Sequence, residues 1–306
     1  MQSRALGVSV ESARANPDNN HMLDERRRVG PVGALSAALV LACTFLLITH
    51  LPARADKNTA RRSLAGGTLA TIRTVPGPAR PAADPGRIGV APGPLTVAYG
   101  FDDGVRRPIV DRNGRHVLRP LGQNGGTLRL VPQGRGLAVD YPERCTLPLE
   151  RDCPRAILEG FRDDTLNPGR RPVRYGASVL MTHADLADGA NVLQKGYSVG
   201  GVSQFKLQVD HRQGHPSCVI AGQSARIYRA EPLLDVADGT WHDLECRRTP
   251  NRLLMIVDGI LRAWVAIPPL LTIANAEPLR VGGKGAAPGN DQFAGAIDNV
   301  FVSITA

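Results

Sequence analysis

The pentapeptide Gly196-Tyr197-Ser198-Val199-Gly200 has the spacing of a nucleophile elbow, a sharp strand-to-helix turn that lifts a serine hydroxyl out for attack. Asp235 and His242 follow in the chain order that such a triad needs. The required helix is missing, because residues 201–203 lead into the alternating run 205–209. The same pentapeptide then reads as a glycine-rich hairpin loop. Glycoside cleavage is a second chemistry to test, and a retaining enzyme holds two carboxylates about 5–5.5 Å apart. Asp243 and Glu245 share a strand face, but Arg247 and Arg248 follow and no third acid does, which reads as a solvent-facing acidic pair beside arginines. His211 and His215 are four residues apart, a spacing that serves a metal only on a helix. Gly214-His215-Pro216 makes a hairpin loop there instead.

The elements that must carry these residues are short strands. Leu244 and Cys246 alternate with Asp243, Glu245 and Arg247, the period of a half-buried strand. Asn251 and Arg252 separate that run from the apolar residues 253–257, and Asp258-Gly259 turns the chain into residues 260–267. Phe205, Leu207 and Val209 point one way while Lys206, Gln208 and Asp210 point the other. Further short alternations occupy 96–102, 127–131, 136–141, 156–161, 175–181 and 192–194, with Gly and Pro in the gaps. No amphipathic helical window of useful length occurs, so the pattern predicts an all-β protein built as an antiparallel sandwich or barrel.

Several of these residues carry a family resemblance. Phe101-Asp102-Asp103-Gly104, Gln194-Lys195-Gly196, Trp241-His242, Val257-Asp258-Gly259 and the closing run Gly295-Ala296-Ile297-Asp298-Asn299-Val300 occur in the order seen in laminin-G-like, concanavalin-A-like domains. The chain resembles that family from about 95 to 304, which implies a two-sheet antiparallel β-sandwich of the jelly-roll type. In such sandwiches the first and last strands are neighbours, so the resemblance places Asp102 near Asp298 as a calcium site completed by backbone carbonyls. It also implies that His242 packs or hydrogen-bonds at a strand start. The glycosidases of this superfamily carry Glu-x-Asp-x-Glu or Glu-x-Asp-x-x-Glu, and this sequence has neither. The reading that follows is a non-catalytic binding module, with carbohydrate as first ligand class and protein–protein adhesion or a structural surface role as the alternative. Hydrolysis by Ser198 or by an acid pair stands third. Tyr197 and Trp264 are the aromatics placed to stack on a sugar, while Trp241 is expected in the core.

The first 93 residues stand apart in composition. Residues 1–30 are polar and end in three arginines, residues 31–51 carry no formal charge, and Ala53-Arg54-Ala55 offers a cleavage site, the three parts of an export signal. The apolar run is also long enough to span a bilayer uncleaved, giving a membrane partner through 31–51. Both routes put the rest of the chain outside the cytoplasm, secreted or anchored. Residues 56–93 are rich in Ala, Pro, Gly, Arg and Thr and predict a flexible spacer, with one domain over 94–306. That domain holds 25 Lys and Arg against 22 Asp and Glu with no basic cluster, which argues against a nucleic-acid partner. The expected partner is an extracellular or cell-wall glycan, or a surface protein. Arginine-heavy usage suits a GC-rich, actinobacterial-like genome.

Four cysteines lie beyond the apolar run, and an even count in an exported chain suggests disulfides. Of the three pairings they allow, Cys145–Cys153 closes a short surface loop and Cys218–Cys246 ties two strands across the sheet. Zinc is the rival, but the spacings match no zinc pattern.

Overall fold

A computed structural model describes residues 88–199, 202–210 and 213–306. The apolar run 31–51, the cleavage site after Ala55 and most of the expected spacer lie outside the described residues, as does His211. The strands in chain order are β1 (Leu95–Tyr99), β2 (Ile109–Val110), β3 (Val117–Gln123), β4 (Arg129–Gln133), β5 (Gly136–Tyr141), β6 (Arg155–Gly160), β7 (Val173–Thr182) and β8 (Ala190–Gly196). They continue as β9 (Gln204–Asp210), β10 (His215–Ala221), β11 (Ile227–Ala230), β12 (Asp238–Arg248), β13 (Arg252–Val257), β14 (Ile260–Ala266), β15 (Leu279–Val281) and β16 (Gly295–Ile304). Two short 3-10 turns, Glu150–Asp152 and Asp164–Leu166, are the helical elements among the described residues.

The strands form two antiparallel sheets. The first has the order β14-β13-β12-β7-β16-β5-β4, with β1 added beside β16; the second runs β11-β10-β9-β8-β15-β6-β3-β2. The last strand lies inside the first sheet, with partners on both edges. One edge of β16 pairs with β7, and the other pairs with β5 near Gly295 and with β1 from Val300 to Ile304. The turn at Asp258-Gly259 is a two-residue hairpin, with both residues at positive φ (53° and 76°) as a type I′ turn demands.

Period-two alternation builds the core. Phe205, Leu207 and Val209 face inward with Cys218, Ile220, Leu244, Leu253, Met255 and Tyr175 in one apolar cluster. Tyr175 packs its ring 4.9 Å from that of Phe205 and donates its hydroxyl to the Lys206 carbonyl at 3.3 Å, linking the two sheets. Three cations, Arg155, Lys195 and Arg248, are fully buried among the described residues, each donating to backbone carbonyls. Arg248 donates to the Gly169 carbonyl at 2.8 Å, and burial pulls its pKa down to about 10. Lys195 donates to the Asn275 and Glu277 carbonyls, and burial pulls its pKa down to about 8.

Both expected disulfides form. The second corrects the reading made from spacing: β10 and β12 belong to different sheets, so Cys218–Cys246 crosses the core between sheets instead of tying neighbours within one. Trp241 is half-buried on β12 and stands outside the apolar cluster, contrary to expectation. Contacts with the domain begin before residue 94. The Gly89 amide donates to Asp164 and the Ala91 amide to the Asn167 carbonyl.

Candidate functional site

The second sheet presents a polar outer face. Cα partners run in one row from Arg119 through Glu159, Arg280 and Gln194 to Lys206. Each of these residues neighbours an inward-facing apolar one, so alternation sends them away from the core. Above this row opens a cleft of about 550 Å³, within the range of small-ligand sites. Glu159, Arg280, Gln194, Gln204 and Lys206 line its floor; residues 197–199 and 284–291 form its walls.

Most charges in the cleft are already paired. Arg280 places Nε 2.7 Å from Glu159 and Nη1 3.1 Å from Glu277, and Nη1 also donates to the Tyr197 hydroxyl at 2.8 Å. Lys284 lies 3.0 Å from Asp291. Tyr197 donates its own hydroxyl proton to the Lys284 carbonyl, which fixes its ring in the wall, and burial raises its pKa. Beneath, buried amides are locked: Asn191 donates to Gln194 at 2.7 Å, and Gln194 to the Gly196 carbonyl at 2.6 Å. On the neighbouring strands Asp210 accepts from Ser217 and pairs with Arg229, both at 3.1 Å.

Three side chains of the cleft, Ser198, Gln204 and Lys206, have no hydrogen-bond or ion-pair partner among the described residues. The Lys206 ammonium makes no hydrogen bond or ion pair, although Asp291 and Asp210 favour its charge; burial lowers its pKa. Gln204 is 4 % exposed, yet its amide makes no hydrogen bond among the described residues and faces the cleft. Gln204 and Lys206 are alternate residues of β9, so they share one face.

The elbow motif has a structural explanation. Ser198 stands at the cleft wall, and none of the described lining residues is a histidine. Gly196 is needed for packing: at φ 84° a Cβ there would fall 2.0 Å from the Ser203 carbonyl oxygen and 2.4 Å from the Asn275 side-chain nitrogen. The chain continues from this loop into β9 and not into a helix. The Asp243 and Glu245 pair is likewise occupied, Asp243 by the Ser178 hydroxyl at 2.5 Å and Glu245 by Arg174 and Arg247. Asp235, the expected third member of a triad, sits 2.6 Å from His183.

Of the expected ligand aromatics, Tyr197 lines the cleft and Trp264 does not. Trp264 belongs to β14, the edge of the opposite sheet, where it is 53 % exposed beneath the Arg252 guanidinium at 4.5 Å. His242 hydrogen-bonds Asp258 at 2.8 Å and Asp238 at 3.2 Å near the start of β12. His215 opens β10 and lies 3.9 Å from Glu231.

Asp102 and Asp298 come together at the junction of β1, β5 and β16, close enough for the charge of Asp102 to raise the pKa of Asp298, after the larger effect of burial. The Asp298 Oδ1 is buried without a hydrogen-bond partner, while Asp102 accepts from the Leu137 amide at 2.8 Å. Gly136 allows that approach, since a Cβ there would stand 2.5 Å from Asp102 Oδ1. An orphaned buried carboxylate oxygen beside a second carboxylate fits a hard cation. No group of three His, Cys, Asp or Glu side chains suited to a metal occurs among the described residues, so backbone oxygens would have to complete the shell.

The comparisons agree with this architecture. No curated protein matches the chain by sequence. Among solved structures the chain is similar to the binding domain of Paraclostridial Mosquitocidal Protein 1, at 11 % identity and TM-score 0.51, covering 70 % of this chain and 49 % of that one. The chain thus spans about half the length of that relative. It is also similar to domain 4 of an extracellular arabinanase from Geobacillus stearothermophilus, solved with arabinotriose, at 14 % identity and TM-score 0.50, covering 70 % of this chain and 94 % of that one. At these identities the likeness shows the fold alone. Residues 192–304, from within β8 to the end of β16, match the Laminin G domain family model, so this part of the two-sheet sandwich is similar to a laminin G domain.

Proposed function

We propose that the chain is an extracytoplasmic, non-catalytic carbohydrate-binding module whose ligand enters the cleft on the outer face of the second sheet. The observation that carries this reading is a cleft of about 550 Å³ with a polar floor, a fixed tyrosine ring in its wall and unpartnered donors at Gln204 and Lys206. A sugar offers hydroxyls to such donors and an apolar ring face to an aromatic wall. The arabinanase domain that shares the fold was solved with an arabinose trisaccharide. Two disulfides favour a location outside the cytoplasm, with the segment 31–51 acting as a signal or an anchor. We also assign calcium to Asp102 and Asp298, where it would lock the closing strand to the start of the domain.

Protein–protein adhesion is the second reading, favoured by the free edge of β14, where Ile260, Leu261 and Trp264 are all more than half exposed. Binding of the purified protein to an array of plant and wall polysaccharides, with calcium and with a chelator, tests the choice. Saturable glycan binding is expected. Absence of binding by folded protein under both conditions overturns the carbohydrate reading in favour of a protein partner.

A further inference from the structure

Taking the carbohydrate reading as its base, we infer that the cleft selects acidic sugars: the carboxylate of a uronic acid residue is held by the Lys206 ammonium and the Gln204 amide. The two donors stand on one face of β9, and neither has a partner among the described residues. Gln204 is almost fully buried, and what its amide still exposes opens into the cleft, where a ligand can supply the acceptor that the described residues do not. Among the charged residues that line the cleft, Arg280 pairs with Glu159 and Lys284 with Asp291. Lys206 is therefore the charge left for a ligand to answer. A half-buried ammonium gains more from an anion than an exposed one does, because solvent screens it less.

The donor set also decides which anion. Sulfate and phosphate are matched by guanidinium forks or by runs of backbone amides. The one guanidinium among the described lining residues, Arg280, is committed to two carboxylates and a phenol. One ammonium and one amide N–H instead match the two oxygens of a carboxylate. The wall formed by Tyr197, whose hydroxyl is tied to Arg280 and Lys284, offers the apolar ring edge beside them.

Titration calorimetry with polygalacturonate, its fully methyl-esterified form and a neutral glucan tests this. The wild-type protein should bind the free acid at least about tenfold more tightly than the ester, a gap that narrows at high salt. Lys206→Met should lose the preference for the acid, its binding of the ester weakened only by the loss of one donor, and an unchanged Tm shows that it folds. Gln204→Ala should lose part of the preference. Equal binding of acid and ester, or a preference that survives in Lys206→Met, overturns the inference and leaves the carbohydrate reading standing. Tighter binding of the neutral glucan than of the acid overturns it in the same way. Binding of none of the three overturns both.

Discussion

Lys206 and Arg280 stand in one row of Cα partners across the second sheet, separated by Gln194, and differ in one respect: Arg280 is ion-paired with Glu159 and Glu277, whereas Lys206 makes no ion pair among the described residues. Burial makes that difference matter. The floor of the cleft is built from residues that alternate with core residues, so it is as rigid as the sandwich beneath it, and its polarity was not available for the core.

Asp298 tests the cation assignment. Burial, then Asp102, raises its pKa, so the folded state holds its proton more tightly than the unfolded one. Without a cation its contribution is lost as pH rises through its folded pKa, and at neutral pH the buried charge destabilises. Asp298→Asn should therefore raise Tm by a few degrees in chelator and abolish the further rise that calcium gives the wild type. Differential scanning calorimetry in both buffers checks this. A wild-type Tm indifferent to calcium contradicts the assignment.

Lys195 gives a pH signature of opposite sense. Its pKa is drawn down to about 8 by burial, against about 10.4 in an unfolded chain. Between those values the unfolded state binds more protons, so stability should rise with pH by about 1–3 kcal/mol. Urea titrations at pH 7.5 and 9.5 compare wild type with Lys195→Met, because Tyr99, Tyr141 and Tyr175, whose pKa burial raises in the folded state, begin to ionise in the unfolded chain near pH 9.5 and lower stability alike in both proteins. Lys195→Met should be less stable overall, because the Asn275 and Glu277 carbonyls lose their donor, but its stability should lack this rise.

His116 ties the start of β3 to the Asp163–Thr165 segment. Its Nε2 lies 2.9 Å from Asp163 and 3.1 Å from the Thr165 hydroxyl, and Asp111 lies 3.8 Å from Nδ1. The hydrogen bond to Asp163 raises its pKa against the opposing pull of burial, with Asp111 helping and Arg115 opposing. The stabilisation is complete below about pH 6.5 and lost as pH rises through the folded pKa. His116→Gln should cost about 1 kcal/mol more at pH 5.5 than at pH 8.5. An equal cost at both values means that the imidazole acts through packing alone.

The strand pattern and the turns were legible in the sequence because each follows from local chemistry: alternation in 205–209, the Asp258-Gly259 hairpin, and the pairing of the first and last strands through family likeness. Both cysteine pairs were legible too, but Cys218–Cys246 hid its geometry, since sequence separation does not say which sheet a strand joins. Trp241 and Trp264 show the same limit, because exposure depends on what the neighbouring strand carries. The cleft was half visible. Lys206, Gln208 and Asp210 were seen to share a face, but their link to Arg280 requires β15 to insert between β8 and β6, a pairing across more than 80 residues. Gln204 gave no sequence signal.

The two disulfides should differ in weight. Cys218–Cys246 joins the sheets through the core over 28 residues, and Cys145–Cys153 closes a surface loop over 8. Replacing the first pair by alanines should cost about 3–4 kcal/mol and the second about 2–3 kcal/mol. Chemical denaturation of the two double variants ranks them. A larger loss from the loop pair would show that the sheets are held together chiefly by apolar packing.

The central claim is that a glycan occupies this cleft, and filling the cleft tests it most directly. Ser198→Trp places an indole at the wall without touching the core, and Trp264→Ala removes the aromatic of the opposite sheet's free edge. Titration of wild-type and variant proteins with a polysaccharide drawn from the array is the measurement. We expect Ser198→Trp to weaken binding at least about a hundredfold at unchanged Tm, and Trp264→Ala to bind as the wild type does. Full binding by Ser198→Trp, or loss confined to Trp264→Ala, would contradict the cleft as the site.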